Sequence, residues 1–214
     1  MMKKTATLDR HTLELVRLAA AVAQGYEPEL RERLEGARSA GVPTAWVDEM
    51  LLQSLLFVGY PRTLVAFALW RKASGEDAPA TDPDADYGRA KQWIERGEET
   101  CGIVYGDNYK KLRNNVKELH PALDAWMIVE GYGRTLARPG LDLLRRELCI
   151  VAQTGVLETP RQLHSHMRGA LNAGASVGQV EAVLALMNPM LSFDSWKRVK
   201  ELWRSVKEAW IPED

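Results

Sequence analysis

Glu147 and His166 are the two side chains in this 214-residue sequence best suited to moving a proton. Glu147 lies eleven residues before the turn expected near Glu158, and His166 lies eight residues after it. Each helical residue advances about 1.5 Å, so two antiparallel helices joined at that turn bring both side chains to comparable height. A carboxylate beside an imidazole fixes the tautomer, favours the protonated form and keeps the ring titrating near working pH, as general acid/base catalysis requires. The alternative is a buried His–Glu hydrogen bond that only ties the hairpin together. Spacing also removes candidates. His164 is two positions from His166 and points to nearly the opposite side of a helix, which excludes a His-x-His metal clamp and makes it a surface or interface histidine. Cys149 is likewise opposed to Glu147, and no metal site is expected.

The elements that must position this pair occur twice. Leu8, Asp9, Glu14, Leu15, Ala19, Leu30, Gly36, Ala37, Ala40, Gly41, Val47 and Leu51 recur 133 positions later as Leu141, Asp142, Glu147, Leu148, Ala152, Leu163, Gly169, Ala170, Ala173, Gly174, Val180 and Leu184. Trp70 and Trp203 keep the same offset. Such self-similarity marks an internal duplication. The copies differ at one position of consequence: His166 in the second corresponds to Arg33 in the first. Arginine does not release its proton at accessible pH, so Glu14 and Arg33 are expected to form a structural ion pair, and only the second copy is equipped for proton transfer.

Apolar spacing is helical throughout, and no alternating run is bounded by turn signals, so the fold is read as all-α. Helices are expected over 8–24, 27–40, 44–57 and 61–72, then 89–99, 106–119, 121–137, 143–155, 160–173, 177–188 and 194–210. This divides the chain into a degenerate first unit (1–72), a linker (73–88) and a second unit carrying the site (89–214). The Ala-, Asp-, Pro- and Gly-rich linker lacks an apolar face. Its Asp82-x-Asp84-x-Asp86 run has a misplaced glycine and Trp93 where a calcium loop needs glutamate, so it is read as a solvated acidic segment. Trp196, Val199, Trp203, Val206 and Trp210 form one apolar seam on the last helix, packed either on the chain's own core or on another subunit.

A net charge of −1 argues against nucleic acid or an anionic membrane as a partner. Charges interrupt the apolar run after the first residues, and no apolar stretch is read as long enough to span a bilayer. A cytoplasmic location follows as the expectation. Cys101 and Cys149 lack Cys-x-x-Cys spacing and are read as reduced, buried thiols.

The stretches Gly131-Tyr132-Gly133-Arg134, Arg138-Pro139-Gly140-Leu141-Asp142, Arg146-Glu147-Leu148 and His166-x-Arg168-Gly169-Ala170-Leu171-Asn172-x-Gly174 resemble the carboxymuconolactone decarboxylase family, which includes the alkylhydroperoxidase D-like proteins. The resemblance is dense over 131–186 and reaches 8–70 through the repeat. It implies an all-helical alkylhydroperoxidase D-like fold written as two tandem units. It also implies a ring-like oligomer, which a double-unit chain closes as a homotrimer, with Trp196, Trp203 and Trp210 as one candidate contact.

The thiol branch of this family reduces peroxides with a Cys-x-x-Cys pair, and here those positions hold Thr159 and Gln162. Without a nucleophilic thiolate that chemistry has no first step. In the decarboxylase branch His166 matches the family histidine and Arg168 sits near it, while the family's tryptophans before Arg138 are replaced by residues such as Tyr132 and Leu136. The resemblance thus leaves Glu147 and His166 as catalytic residues, with Tyr132, Arg134, Arg138 and Arg168 available to hold a substrate; arginines suit a carboxylate. The expected function is cofactor-independent proton transfer on a small carboxylated or carbonyl substrate. The competing class is a non-catalytic helical oligomer or binding module.

Overall fold

A computed structural model describes residues 8–210. Within that span the regular structure is helical: α1 (Arg10–Gln24), α2 (Glu27–Ser39), α3 (Thr44–Ser74), α4 (Ala90–Tyr105), α5 (Tyr109–Leu119), α6 (Pro121–Trp126), α7 (Leu143–Val156), α8 (Pro160–Asn172), α9 (Val177–Met187) and α10 (Phe193–Ala209). A π-helical stretch, Met127–Leu136, continues α6. Residues 44–57 and 61–72, expected as two helices, form the single bent element α3. The bend falls at Gly59 (φ 72°, ψ 176°), a conformation glycine adopts without steric cost, two residues before Pro61.

The two copies use the same local devices. Asp9 caps α1 by accepting from the Thr12 amide, and Asp142 caps α7 by accepting from the Arg145 amide. The Trp70 indole donates to Asp48 at 2.9 Å, and the Trp203 indole donates to Glu181, at the positions 133 later, at 3.1 Å. Helix α1 packs against α7. At their contact Arg145 reaches Thr12 Oγ1 (2.8 Å), Asp9 (3.1 Å) and Asp142 (2.6 Å), with its guanidinium 4.3 Å from the centre of the Trp46 ring. Buried residues of both copies, among them Leu15, Leu34, Met50, Leu148, Met167 and Val180, form one apolar cluster. Burying such a side chain contributes roughly 1.5–3 kcal/mol, so the halves share their principal source of stability.

The segment before α4 departs from the expected solvated linker. Asp84 is buried, accepting from the Trp93 indole at 2.8 Å and pairing with Arg96 at 2.8 Å and Arg138 at 3.1 Å. Spacing within an acidic, proline-rich run carries no information about arginines that arrive from elsewhere.

The tryptophan seam packs on its own chain's core: Trp203 is buried, and Trp196 and Trp210 are partly buried against the same cluster. Exposed apolar side chains lie instead on the outer part of α3 (Leu56, Tyr60, Leu64, Val65) and at Leu119, Leu123 and Trp126. Helix α3 also corrects the membrane reading. It is long and apolar enough to cross a bilayer by length and composition, with a mean hydropathy of 1.3 over its best window, a third of which is buried. Helix α3 packs against α1, α2 and α7 of its own chain.

Candidate functional site

Helices α7 and α8 form the hairpin expected around Glu158, and they bring the expected pair together. His166 Nδ1 lies 2.9 Å from Glu147 Oε2, with both side chains buried. A carboxylate that accepts this bond takes it from Nδ1–H, the tautomer that leaves Nε2 as the outward-facing ring nitrogen. Close packing makes room for this bond. A methyl group on Gly169 would lie 2.5 Å from Glu147 Oε2 and 2.7 Å from Val104 Cγ1. The Phe57 ring meets His166 edge-on, with centroids 5.9 Å apart. Glu147 Oε1 is buried without a protein hydrogen-bond partner, an uncommon condition that costs stability.

The first copy does not reproduce the pair. Glu14 bonds Arg17 at 2.7 Å and Arg33 bonds Glu29 at 2.6 Å, each along its own helix, so the Glu14–Arg33 ion pair expected from the sequence is not made. Partners three or four residues away are always within reach on a helix, and here they outcompete the partner across the hairpin.

Helix α4 and the π-helical stretch build the floor of the site. Their backbones touch at Gly97 and Gly133, where any methyl group would overlap the carbonyls of Ile128 and Trp93. This approach seats Cys101, Val104, Ile128, Tyr132, Leu136 and Ile150 in a second apolar cluster. Tyr132 packs edge-on against Tyr105, with centroids 6.3 Å apart. Burial raises the Tyr132 hydroxyl well above its usual pKa, and the neighbouring Tyr105 and Glu147 add to the effect. Burial likewise raises Tyr105, and pushes the Cys101 thiol up to about 12. Burial also raises Cys149. Neither thiol is held as the reactive thiolate.

Beside the pair, a polar cavity of about 180 Å³ opens between α4, α5 and α8, with Tyr105, Lys111, His164, Ser165, Arg168 and Asn172 on its walls. His164, expected at the surface or an interface, is half-buried here, and burial followed by the nearby Arg168 lowers its pKa. Arg168 lines the cavity. Neither His166 nor Glu147 lines this cavity; Ser165 on its wall is the chain neighbour of His166.

Arg134 and Arg138 are engaged elsewhere. Arg134 bonds Glu130, the Tyr87 hydroxyl and the Asp84 carbonyl, and stacks on Trp93. Arg138 distributes its donors among Glu49, Asp82 and Asp84, so the carboxylates it holds are the protein's own. Among the described residues, no group of three or more His, Cys, Asp or Glu side chains converges to hold a metal ion. The sequence pattern missed Phe57, Tyr105 and Lys111. All three lie outside the hairpin, and only tertiary packing brings them to it.

The model of the carboxymuconolactone decarboxylase family matches residues 1–72 and 121–204 in two separate stretches. The chain belongs to the carboxymuconolactone decarboxylase family. Both matched stretches are consistent with tandem family units, and the family's all-helical fold is the one observed. Residues 73–120, which contain α4 and α5, fall between them. The chain is also similar to Peroxisomal protein 2 of Saccharomyces cerevisiae, 27% identical over 137 residues, 60% of this chain and 48% of that protein. The chain thus spans about half the length of the curated relative it matches.

Proposed function

We propose that this carboxymuconolactone decarboxylase-like protein is a cofactor-independent enzyme in which His166, oriented by Glu147, transfers a proton on a small carboxylated or carbonyl substrate. The observation that carries the reading is the 2.9 Å bond from His166 Nδ1 to a fully buried Glu147, placed one residue from the wall of a polar cavity. With Nδ1–H held by Glu147, Nε2 takes a proton from the carbon next to the carbonyl or carboxylate. The same atom returns the proton to the product carbanion or enolate. Arg168 holds the substrate carboxylate, and Tyr132 backs the site.

A second reading has an observation of its own. His166 and Glu147 are sealed by Phe57 and Gly169 and do not themselves wall the cavity, as a purely structural pair in a non-catalytic oligomer or binding module would be. The two are separated by solvent exchange: α-protons of small keto acids and dicarboxylates are followed by proton NMR in D2O with the wild-type chain and with His166→Asn. The catalytic reading expects exchange that the variant loses while remaining folded. Equal exchange by both proteins, or none by either, rejects it.

The assembly we propose is a homotrimer, with the exposed outer face of α3 rather than the tryptophan seam at the contact. Cys101 and Cys149 are unpaired, which fits a reducing compartment, and we place the protein in the cytoplasm. The name of the yeast relative makes the peroxisome the alternative, which fractionation of cells decides.

A further inference from the structure

The cavity beside His166 has a one-sided charge. Lys111 enters from α5, and Arg168 and His164 from α8, while Asn108, Asn115 and Asn172 supply amides. No carboxylate is among its lining residues. Within the described residues, neither Lys111 nor Arg168 has a carboxylate within 4.0 Å, whereas the other half-buried arginines around the site, Arg96, Arg113, Arg134 and Arg138, are all paired. Burial lowers the pKa of His164, and the nearby positive charge of Arg168 adds to the effect. Two cations that line one cavity without a counter-charge are suited to an anion.

The cavity suits a small anion. About 180 Å³ is far below the roughly 300–1,000 Å³ of sites for drug-sized ligands or cofactors. It corresponds to about six water molecules at roughly 30 Å³ each. The walls have two origins. Arg168, His164 and Asn172 lie in the family-matched stretch, whereas Tyr105, Asn108, Lys111 and Asn115 come from residues 73–120, which the family model does not match. Asn172 joins the two sides by donating to the Val104 carbonyl at 2.8 Å.

We propose that the unmatched α4–α5 segment makes this site selective for compact dianions, with Lys111 and Arg168 each taking part of the charge and Lys111 as the specificity-determining residue. The ligand is either a small dicarboxylate or a phosphoryl compound. The inference rests on the cavity being the substrate site of the proton-transfer reading. Its test is equilibrium binding, which does not require turnover.

Isothermal calorimetry on the full chain compares malonate, inorganic phosphate and acetate at fixed ionic strength. The dianions are expected to bind at least about tenfold more tightly than acetate, the scale of one added charge-assisted contact. Lys111→Gln should remove most of that preference while leaving acetate within about twofold, and Lys111→Glu should abolish dianion binding. Lys111 is exposed, so neither change threatens folding. Tighter binding of malonate assigns two carboxylates, and tighter binding of phosphate assigns a phosphoryl group. Acetate binding as tightly as the dianions, unchanged selectivity in Lys111→Gln, or no binding of any probe overturns the proposal. His166→Asn should bind the dianion normally; selective dianion binding by a wild-type chain that catalyses no exchange fails the catalytic reading alone, and exchange without dianion selectivity fails this one alone.

Discussion

Alanine substitutions at Gly36 and Gly169, equivalent positions of the two copies, should change stability in opposite directions. In a helix interior alanine is favoured over glycine by about 1 kcal/mol. At Gly36 the added methyl would meet only Glu14 Oε2, at 3.4 Å. That is an ordinary contact with the end of a flexible side chain. Gly36→Ala should therefore stabilise by up to about 1 kcal/mol, raising the melting temperature by about 2–4 °C for a chain of this size. At Gly169 the methyl would lie 2.5 Å from Glu147 Oε2, which His166 holds, and 2.7 Å from Val104. Overpacking of this kind costs about 1–3 kcal/mol, and with two restrained neighbours the upper part of that range applies. Less the helical gain, Gly169→Ala should destabilise by about 1–2 kcal/mol, lowering the melting temperature by about 2–8 °C. Differential scanning calorimetry measures both, and nitrogen-detected NMR of the imidazole reports whether the His166–Glu147 bond survives. If Gly169→Ala stabilises as much as Gly36→Ala, the packing argument for the site is refuted.

Arg138→Ala should cost about 3 kcal/mol, because it strips a partner from Glu49, Asp82 and Asp84 together, and chemical denaturation measures the loss. The Arg138 guanidinium holds the Asp82 carboxyl below its usual 3.8; at Asp84 burial opposes, and bonds from Arg96 and Trp93 prevail. Folded values below unfolded ones mean that this stability is present above about pH 4 and is lost as pH falls through the lowered values, so a urea series from pH 6 to pH 2 should show a shallower acid loss in Arg138→Ala. Because burial raises both thiols, neither Cys101 nor Cys149 should react with a disulfide reagent at pH 7.5 until the protein is denatured. Rapid labelling of the native chain would restore the peroxidase reading. Leu64→Glu, on the exposed face of α3, should dissociate the proposed trimer in light-scattering measurements; an unchanged mass moves the contact elsewhere.

What the sequence made legible follows from helix geometry. Glu147 and His166 are adjacent in sequence to the turn that joins them, so residue counting places them level. The capping aspartates and the Trp70 and Trp203 offsets are equally local. The Glu14–Arg33 pair was misjudged by the same counting, because counting ignores competition from Arg17 and Glu29 on the same helices. The family motif offers Arg138 to a substrate, yet Glu49 and Asp82 reach it from 89 and 56 residues away. No spacing rule covers such distances. The cavity walls were invisible for the same reason: Tyr105 and Lys111 lie between the matched stretches and meet α8 only through the fold.

Arg145 facing Thr12 is an arrangement that two identical separate units cannot make. Thr12 and Arg145 are equivalent positions of the two copies, and in a symmetric dimer a position that contacts its own equivalent sits at the axis and meets an identical residue, an arginine an arginine or a threonine a threonine. Joining the units in one polypeptide lifts that obligation. Each side can then accumulate substitutions that the other does not share, and one unit is free to lose its imidazole while the other retains it.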